Sequence, residues 1–247
     1  MVRARSSIWP PDKRSTNLGL PLNVAVMDRG DRDTEERSRQ RDLVRQGFDA
    51  ISRAYRDDEG HSNPTTAEDV TRYLGWVEEL TRRLKPSARV LDLGCGAGVP
   101  GTKLLLGAGF EVVGLDFSHV QIERARHLVR GATFVEADMA TWDCDPASFD
   151  SVVSFYALIH IPLKDQQELF PRLRRWLRPG GFFLAIVGHD RWTGLEDYLG
   201  APMFWDHADF ATYLDWLKQA DLNPVWHRFV PEGRSGHVLV FARAGDD

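Results

Sequence analysis

Cysteine is scarce in this chain: Cys95 and Cys144 are the two among 247 residues. A small secreted domain held by disulfides usually carries more, and neither cysteine has a CxxC or Cys/His companion at metal-site spacing. Long apolar runs are missing as well. No stretch approaches the roughly 18 residues that a membrane-spanning helix needs. The opening MVRARSSIWPPDKRSTN carries positive charge but lacks the apolar centre of a secretory signal. Nor is there an excess of cations, since 31 Lys and Arg stand against 36 Asp and Glu, a formal net charge of −5. Binding to phosphate backbones rests on clustered Lys and Arg, so this balance argues against a nucleic-acid partner. The expectation is a cytoplasmic protein, monomeric or homodimeric, with no membrane or nucleic-acid partner and no metal.

What is present suits a folded domain. The composition is 43% hydrophobic and includes 8 Trp and 13 Phe, enough for the core of one α/β domain. Residues 1–40, with Pro10-Pro11, Pro21 and a charged stretch from Asp28, read as a flexible extension. Residues 41–85 read as two helices capping a cleft. In the second, Val70, Leu74, Val77, Leu80 and Leu84 recur at three- and four-residue steps, Thr65 or Thr66 can cap, and Lys85-Pro86 ends it.

From residue 86 to 247 the pattern becomes strand–helix–strand. ARVLDLG, FEVVGLDF, ATFVEAD, FDSVVSF and FFLAIVG are short apolar runs separated by amphipathic helices. Such strands are covered on both faces and mostly parallel. The last two strands, NPVWHRFV and GHVLVFAR, are joined by a link too short for a parallel crossover, so they are antiparallel neighbours. Residues 189–206 show no clear period, and Asp206 is a possible cap for the helix that follows.

The strongest local signal is VLDLGCGAG, where a strand runs into a turn too tight for side chains and a helix begins near Pro100. Gly96, Gly98 and Gly101 also satisfy the G-x-G-x-x-G of dinucleotide enzymes. Three features disfavour that alternative. Gly94 starts the glycine set early, Asp92 puts negative charge near an expected pyrophosphate, and the sheet ends in a hairpin rather than a second βαβ half. Asp92, Asp116 and Asp138 each end a different parallel strand, so they gather on the one sheet edge where open α/β folds bind ligands.

These motifs resemble those of the class I S-adenosylmethionine-dependent (SAM-dependent) methyltransferases, particularly the small-molecule branches found in secondary metabolism. VLDLGCGAG resembles the family's first motif, LDFS the ribose-binding segment, EADM the adenine-contacting segment and LRPGG the turn before the fifth strand. The likeness runs over residues 48 to 243. It implies a Rossmann-like, seven-stranded sheet in the order 3-2-1-4-5-7-6 with strand 7 antiparallel. It also implies SAM as cofactor and S-adenosylhomocysteine as product. The cofactor residues it implies are Asp92, Gly94, Cys95, Gly96, Asp116, Phe117, Asp138, Met139, Phe155 and Tyr156, with Tyr55 from a helix resembling the family's N-terminal "YD…A…Y" element. Asp221 stands where the family often has a helix-ending glycine.

An oxygen acceptor of high pKa, or a protonated amine, must lose its proton during transfer, which asks for a base near neutrality. His160 in SFYALIHIP is the leading candidate, and its place resembles the histidine of an "LEHV" segment in related O- and C-methyltransferases. A substrate contact and a purely structural hydrogen bond are its competing roles. Residues 189–207, rich in aromatics, read as a lid over the acceptor. The chain lacks the D/N-P-P-Y/F segment of DNA amino-methyltransferases. The reading is methyl transfer to oxygen or nitrogen of a small, aromatic-leaning metabolite. The alternatives are a peptide or protein N-methyltransferase and a non-catalytic SAM-binding regulator.

Overall fold

The structure is a computed structural model that describes residues 29–62, 67–232 and 235–246. The first 28 residues of the expected extension and the Thr65/Thr66 cap lie outside the described residues. In chain order the elements are α1 (Arg29–Tyr55), α2 (Ala67–Thr81), β1 (Arg89–Leu93), α3 (Gly101–Gly107), β2 (Glu111–Asp116) and α4 (His119–Leu128). Then come β3 (Thr133–Glu136), β4 (Phe149–Ser154), a 3-10 turn (Leu158–His160), α5 (Leu163–Trp176) and β5 (Leu177–Gly188). The chain closes with β6 (Trp192–Tyr198), β7 (Ala201–His207), α6 (Phe210–Gln219), β8 (Leu222–Glu232) and β9 (Ser235–Ala244).

Seven of these strands form one sheet in the order β3-β2-β1-β4-β5-β9-β8. The pairs among β1 to β5 are parallel, and β9 runs antiparallel to both β5 and β8. This is the order the glycine-turn resemblance implies, with the final hairpin placed as its short link requires. The strands are apolar on both sides because helices cover both. On one face α5 and α6 bury Leu169, Phe170, Leu173, Trp176, Tyr213 and Leu217 against the sheet. On the other, α2 and α3 bury Tyr73, Trp76, Val77, Leu80 and Leu105. Among the described residues no helix is long and apolar enough to cross a membrane.

Four local expectations differ from the structure. Helix α1 starts at Arg29, inside the stretch read as flexible. Its first half has no apolar stripe and docks instead through charge. Arg37 and Arg41 both pair with Asp165, which is 4% exposed, and Arg41 also reaches Asp138 at 2.7 Å. On α2, Leu74 faces solvent while Tyr73 and Trp76 turn inward, so the buried stripe is rotated from the one the leucines suggest. Residues 189–206 contain a separate two-stranded hairpin, β6–β7, paired from Trp192–His207 to Tyr198–Ala201. The cap of α6 is Asp209, which accepts the Thr212 N–H at 2.8 Å. Asp206 does other work: it accepts the Leu163 N–H at 2.8 Å and the Thr193 hydroxyl at 2.7 Å, tying the hairpin to the start of α5.

Candidate functional site

Strands β1, β2, β3 and β4 end together, and a cavity lies above their carboxyl ends, the edge at which open α/β sheets bind ligands. The glycine turn makes its floor. Gly94 has φ +80°, and a Cβ there would stand 2.1 Å from the Cβ of Ala157, so no larger residue fits. Gly96 has φ +54°, and a Cβ there would meet nothing within 4 Å. Its open side leaves backbone facing the cavity, as close approach of a ligand requires.

One wall is acidic. Asp116, at the end of β2, accepts the Gly96 N–H and the Ser118 N–H, each at 2.9 Å, one on each oxygen. Burial pushes its pKa up to about 6, against the lowering effect of those N–H donors. Each oxygen keeps acceptor capacity beyond the bond it already makes. Asp138 follows β3. Its carboxylate accepts the Ala140 N–H at 2.8 Å and the Arg41 Nε–H at 2.7 Å. Phe117, Ala137 and Met139 complete this side.

The rest of the lining is largely aromatic. Phe48 and Tyr55 come from α1, and Phe155 and Tyr156 from the loop after β4. Tyr156 holds φ +64°, a conformation that non-glycine residues keep only where surrounding packing enforces it. Phe155 is wedged against Tyr73 and Trp76 of α2, with ring centroids 5.2 Å away in both cases. His160 sits at the inner end. It is 5% exposed, its Nδ1–H donates to the Phe204 carbonyl at 3.1 Å, and its ring lies 4.0 Å from that of Trp205. Burial lowers its pKa to about 4. The ring is therefore neutral at pH 7, with its tautomer set by β7. Such a site suits a hydrogen-bond acceptor or a wall better than a strong proton acceptor.

Of the residues expected at the cofactor, nine line this cavity together with His160, while Asp92 and Cys95 do not. Asp92 lies beneath α3, 2% exposed, accepting the Thr102 hydroxyl at 2.6 Å, and burial pushes its pKa up to about 6. Strand alternation explains it, because Asp92 turns to the face that α3 covers. Cys95 points at β2, where its Sγ would be 2.9 Å from a Cβ on Gly114, and burial drives its thiol pKa up. Sequence reading missed Val44, Gln121, Ala137, Ala157 and Ile161. Gln121 had a legible signal, since it lies in the first turn of the helix capped by Ser118, facing the cleft edge.

The sequence pattern of the methyltransferase-domain family matches residues 90–181. The sterol 24-C-methyltransferase of Candida albicans is 34% identical over 121 residues, covering 47% of this chain and 31% of that protein. This chain therefore aligns with about a third of such relatives. Among solved structures, 1,6-didemethyltoxoflavin-N1-methyltransferase of Burkholderia thailandensis, with its substrate and S-adenosylhomocysteine bound, superposes with a TM-score of 0.60 at 20% identity, covering 92% of this chain and 94% of that one. Magnesium protoporphyrin IX methyltransferase of Synechocystis PCC 6803, with SAM bound, gives 0.62 at 18% identity, over 83% and 97% of the two chains. Residues 90–181 therefore carry a methyltransferase domain, and the fold is the one shared by these class I SAM-dependent methyltransferases, whose cofactor is SAM.

Proposed function

We propose that the protein transfers the methyl group of SAM to an oxygen or nitrogen of a small, planar, aromatic metabolite. The observation that carries this reading is the mixed lining of the cavity. Asp116 and Asp138 offer carboxylates suited to ribose hydroxyls and an adenine amino group, and Phe48, Tyr55, Phe155 and Tyr156 line the same cavity with flat apolar surface. SAM supplies a methyl carbon already made electrophilic by the sulfonium. The chain's own task is to hold donor and nucleophile in line at contact distance and to keep water out. Helix α1 serves that end: its Val44, Phe48 and Tyr55 line the cavity, and Arg41 pins the helix to Asp138 and Asp165.

Further aromatic side chains are exposed on β6 and β8. Phe229, half exposed on β8, meets His189 edge-on at 4.9 Å, and Trp192 stands exposed on β6. Flat apolar surfaces of this kind grip flat ligands. The test is a calorimetric titration with SAM, followed by S-adenosylhomocysteine release over a panel of phenols, nitrogen heterocycles, a sterol and a short basic peptide. Release with phenols or heterocycles is the expected result. Release with the sterol or the peptide alone would replace this acceptor class. The absence of SAM binding would remove the whole reading.

A further inference from the structure

We propose that His237, held by Glu232, is the base that takes the acceptor's proton, and that Tyr156 connects this pair to the cofactor cavity. The inference rests on the methyl-transfer reading above. His237 lies near the start of β9, paired with Gly188 at the carboxyl end of β5 and with Val230 of β8. It therefore stands on the same sheet edge as Asp116, two strands beyond β4. Its Nδ1 is 3.0 Å from Oε2 of Glu232. A neutral ring donating Nδ1–H to a carboxylate keeps its lone pair on Nε2. The carboxylate fixes that tautomer and offsets the charge the ring acquires, the role it plays in Ser-His-Asp triads.

Two further features bind this pair to the site. Tyr156 lines the cavity, meets the His237 ring edge-on at 5.8 Å and hydrogen-bonds Glu232. Burial raises the Glu232 carboxyl pKa, but the bonds from His237 and Tyr156 outweigh it and hold the group below its ordinary value. Gly188 is the second feature. A Cβ there would lie 2.4 Å from Nδ1 of His207, so its absence lets His207 settle on the end of β5, with its ring 5.8 Å from that of His237. The charged and titratable groups facing His237 are Glu232 from β8, Tyr156 from the loop after β4, His207 from β7 and His160 from the 3-10 turn. Arg72 of α2 reaches Glu232 at 3.9 Å.

The contrast with His160 decides the assignment. His160 bonds a carbonyl in a closed apolar setting, which gives an imidazolium nothing to lean on. His237 bonds a carboxylate and is 14% exposed, so a proton it receives has a counter-charge and a way out. In the step, the acceptor atom's lone pair forms the bond to the methyl carbon and the sulfur–carbon pair remains on sulfur. The acceptor's proton goes to Nε2 of His237 and then to water.

The experiment measures SAM affinity by calorimetry and S-adenosylhomocysteine release with a saturating phenol or nitrogen heterocycle, as pH profiles. It uses wild type, H237Q, E232Q and H160Q, with thermal unfolding as a control and H237N as a second replacement. H237Q is expected to lower kcat by about 10²–10⁴-fold, the usual share of a general base, and to leave SAM affinity within about twofold. Its residual rate should climb with pH, because the acceptor must then ionise unaided. E232Q should lose about tenfold and move the acid limb of the profile, a change that a merely structural residue does not produce. Folded H237Q and H237N within about threefold of wild-type kcat would overturn the proposal, and so would loss of SAM binding in both. A wild type that binds SAM yet releases no product over the whole panel defeats the methyl-transfer reading, and this inference falls with it.

Discussion

The two halves of the site are built on different principles. The donor half comes from residues adjacent in sequence, the ends of β1, β2 and β3 with the turns that follow them, and much of its chemistry is backbone. On the proposed acceptor side α1 lines the cavity, the β6–β7 hairpin packs on α1 and the β8–β9 ends meet Tyr156, so elements far apart in the chain come together through packing and ion pairs. In the first half position is set by local conformation, by a positive φ or a strand end. In the second it is set by which side chains pair across elements: Arg41 with Asp165, Asp206 with the start of α5, Glu232 with His237. Changes to the backbone should therefore cripple the donor half outright, and side-chain exchanges should grade the acceptor half.

The largest effect is expected at Gly94. Gly94→Ala sets a Cβ at 2.1 Å from that of Ala157 in a left-handed backbone conformation. Overpacking costs about 1–3 kcal/mol and the left-handed conformation about 1–2 more. SAM binding should weaken by more than about a hundredfold, with a lowered thermal midpoint. Wild-type affinity in this variant would show that the floor of the cavity is not rigid and would erase the contrast drawn above.

Asp116 comes next. Asp116→Asn removes the charge from hydrogen bonds worth about 1.5–3 kcal/mol, so SAM affinity should drop roughly 10- to 150-fold. The wild-type carboxyl has its pKa pushed up to about 6 by burial. Its acceptor form is thus present above pH 6 and is lost as pH falls through that value. Affinity should therefore decline below pH 6, by about tenfold per unit at the steepest, and most of that slope should vanish in Asp116→Asn. Titrations on either side of pH 6 decide it. An identical slope in both proteins would assign the proton to another group, with Asp92 the first to examine.

These expectations rest on how the sequence could be read. Asp116, Asp138, Gly94 and Gly96 were legible because a strand end and a glycine-rich turn have few conformations to choose from. Asp92 and Cys95 lie off the cavity lining for a related reason: the motif gives their order along the chain, while strand alternation decides which face each side chain takes. Asp221, standing for a helix-ending glycine, simply adopts φ +55° itself, which aspartate tolerates better than most residues. The β6–β7 hairpin left no pattern, since none of the seven β6 positions from Trp192 to Tyr198 is buried: five are exposed and two half-buried. Its turn places Leu199 and Gly200 at φ +55° and +89°, and leucine stands where Asn or Asp is the usual sign. Helix α1 hid for the same kind of reason, because ion pairs rather than an apolar stripe dock its first half.

Arg41→Met tests that docking. The variant keeps the aliphatic stem and removes the contacts to Asp138 and Asp165, while Arg37 still holds Asp165. The local cost should be about 1–2 kcal/mol. It should appear as roughly five- to thirtyfold faster amide exchange through the first half of α1. The thermal midpoint should hardly move, because the sheet core is untouched. Slow exchange unchanged from wild type would mean that Val44, Phe48 and Ile51 alone hold the helix, and that charge contributes little to closing the acceptor half.

The smallest effect is expected on the outer face of the hairpin. Leu195 is 65% exposed on β6, whereas Met203 and Phe204 on the paired strand are buried against Val44 and Ile51 of α1. One hairpin thus carries a face that packs on α1 and a face that meets water. Leu195→Ser should change stability by no more than about 0.5 kcal/mol, as exposed positions usually do, and should leave SAM affinity as it was. Thermal unfolding and the SAM titration measure both. A loss of several degrees, or a concentration-dependent change in molecular mass, would show that Leu195 is covered in solution. The hairpin's outer face would then belong to an interface, and the acceptor half would extend beyond one chain.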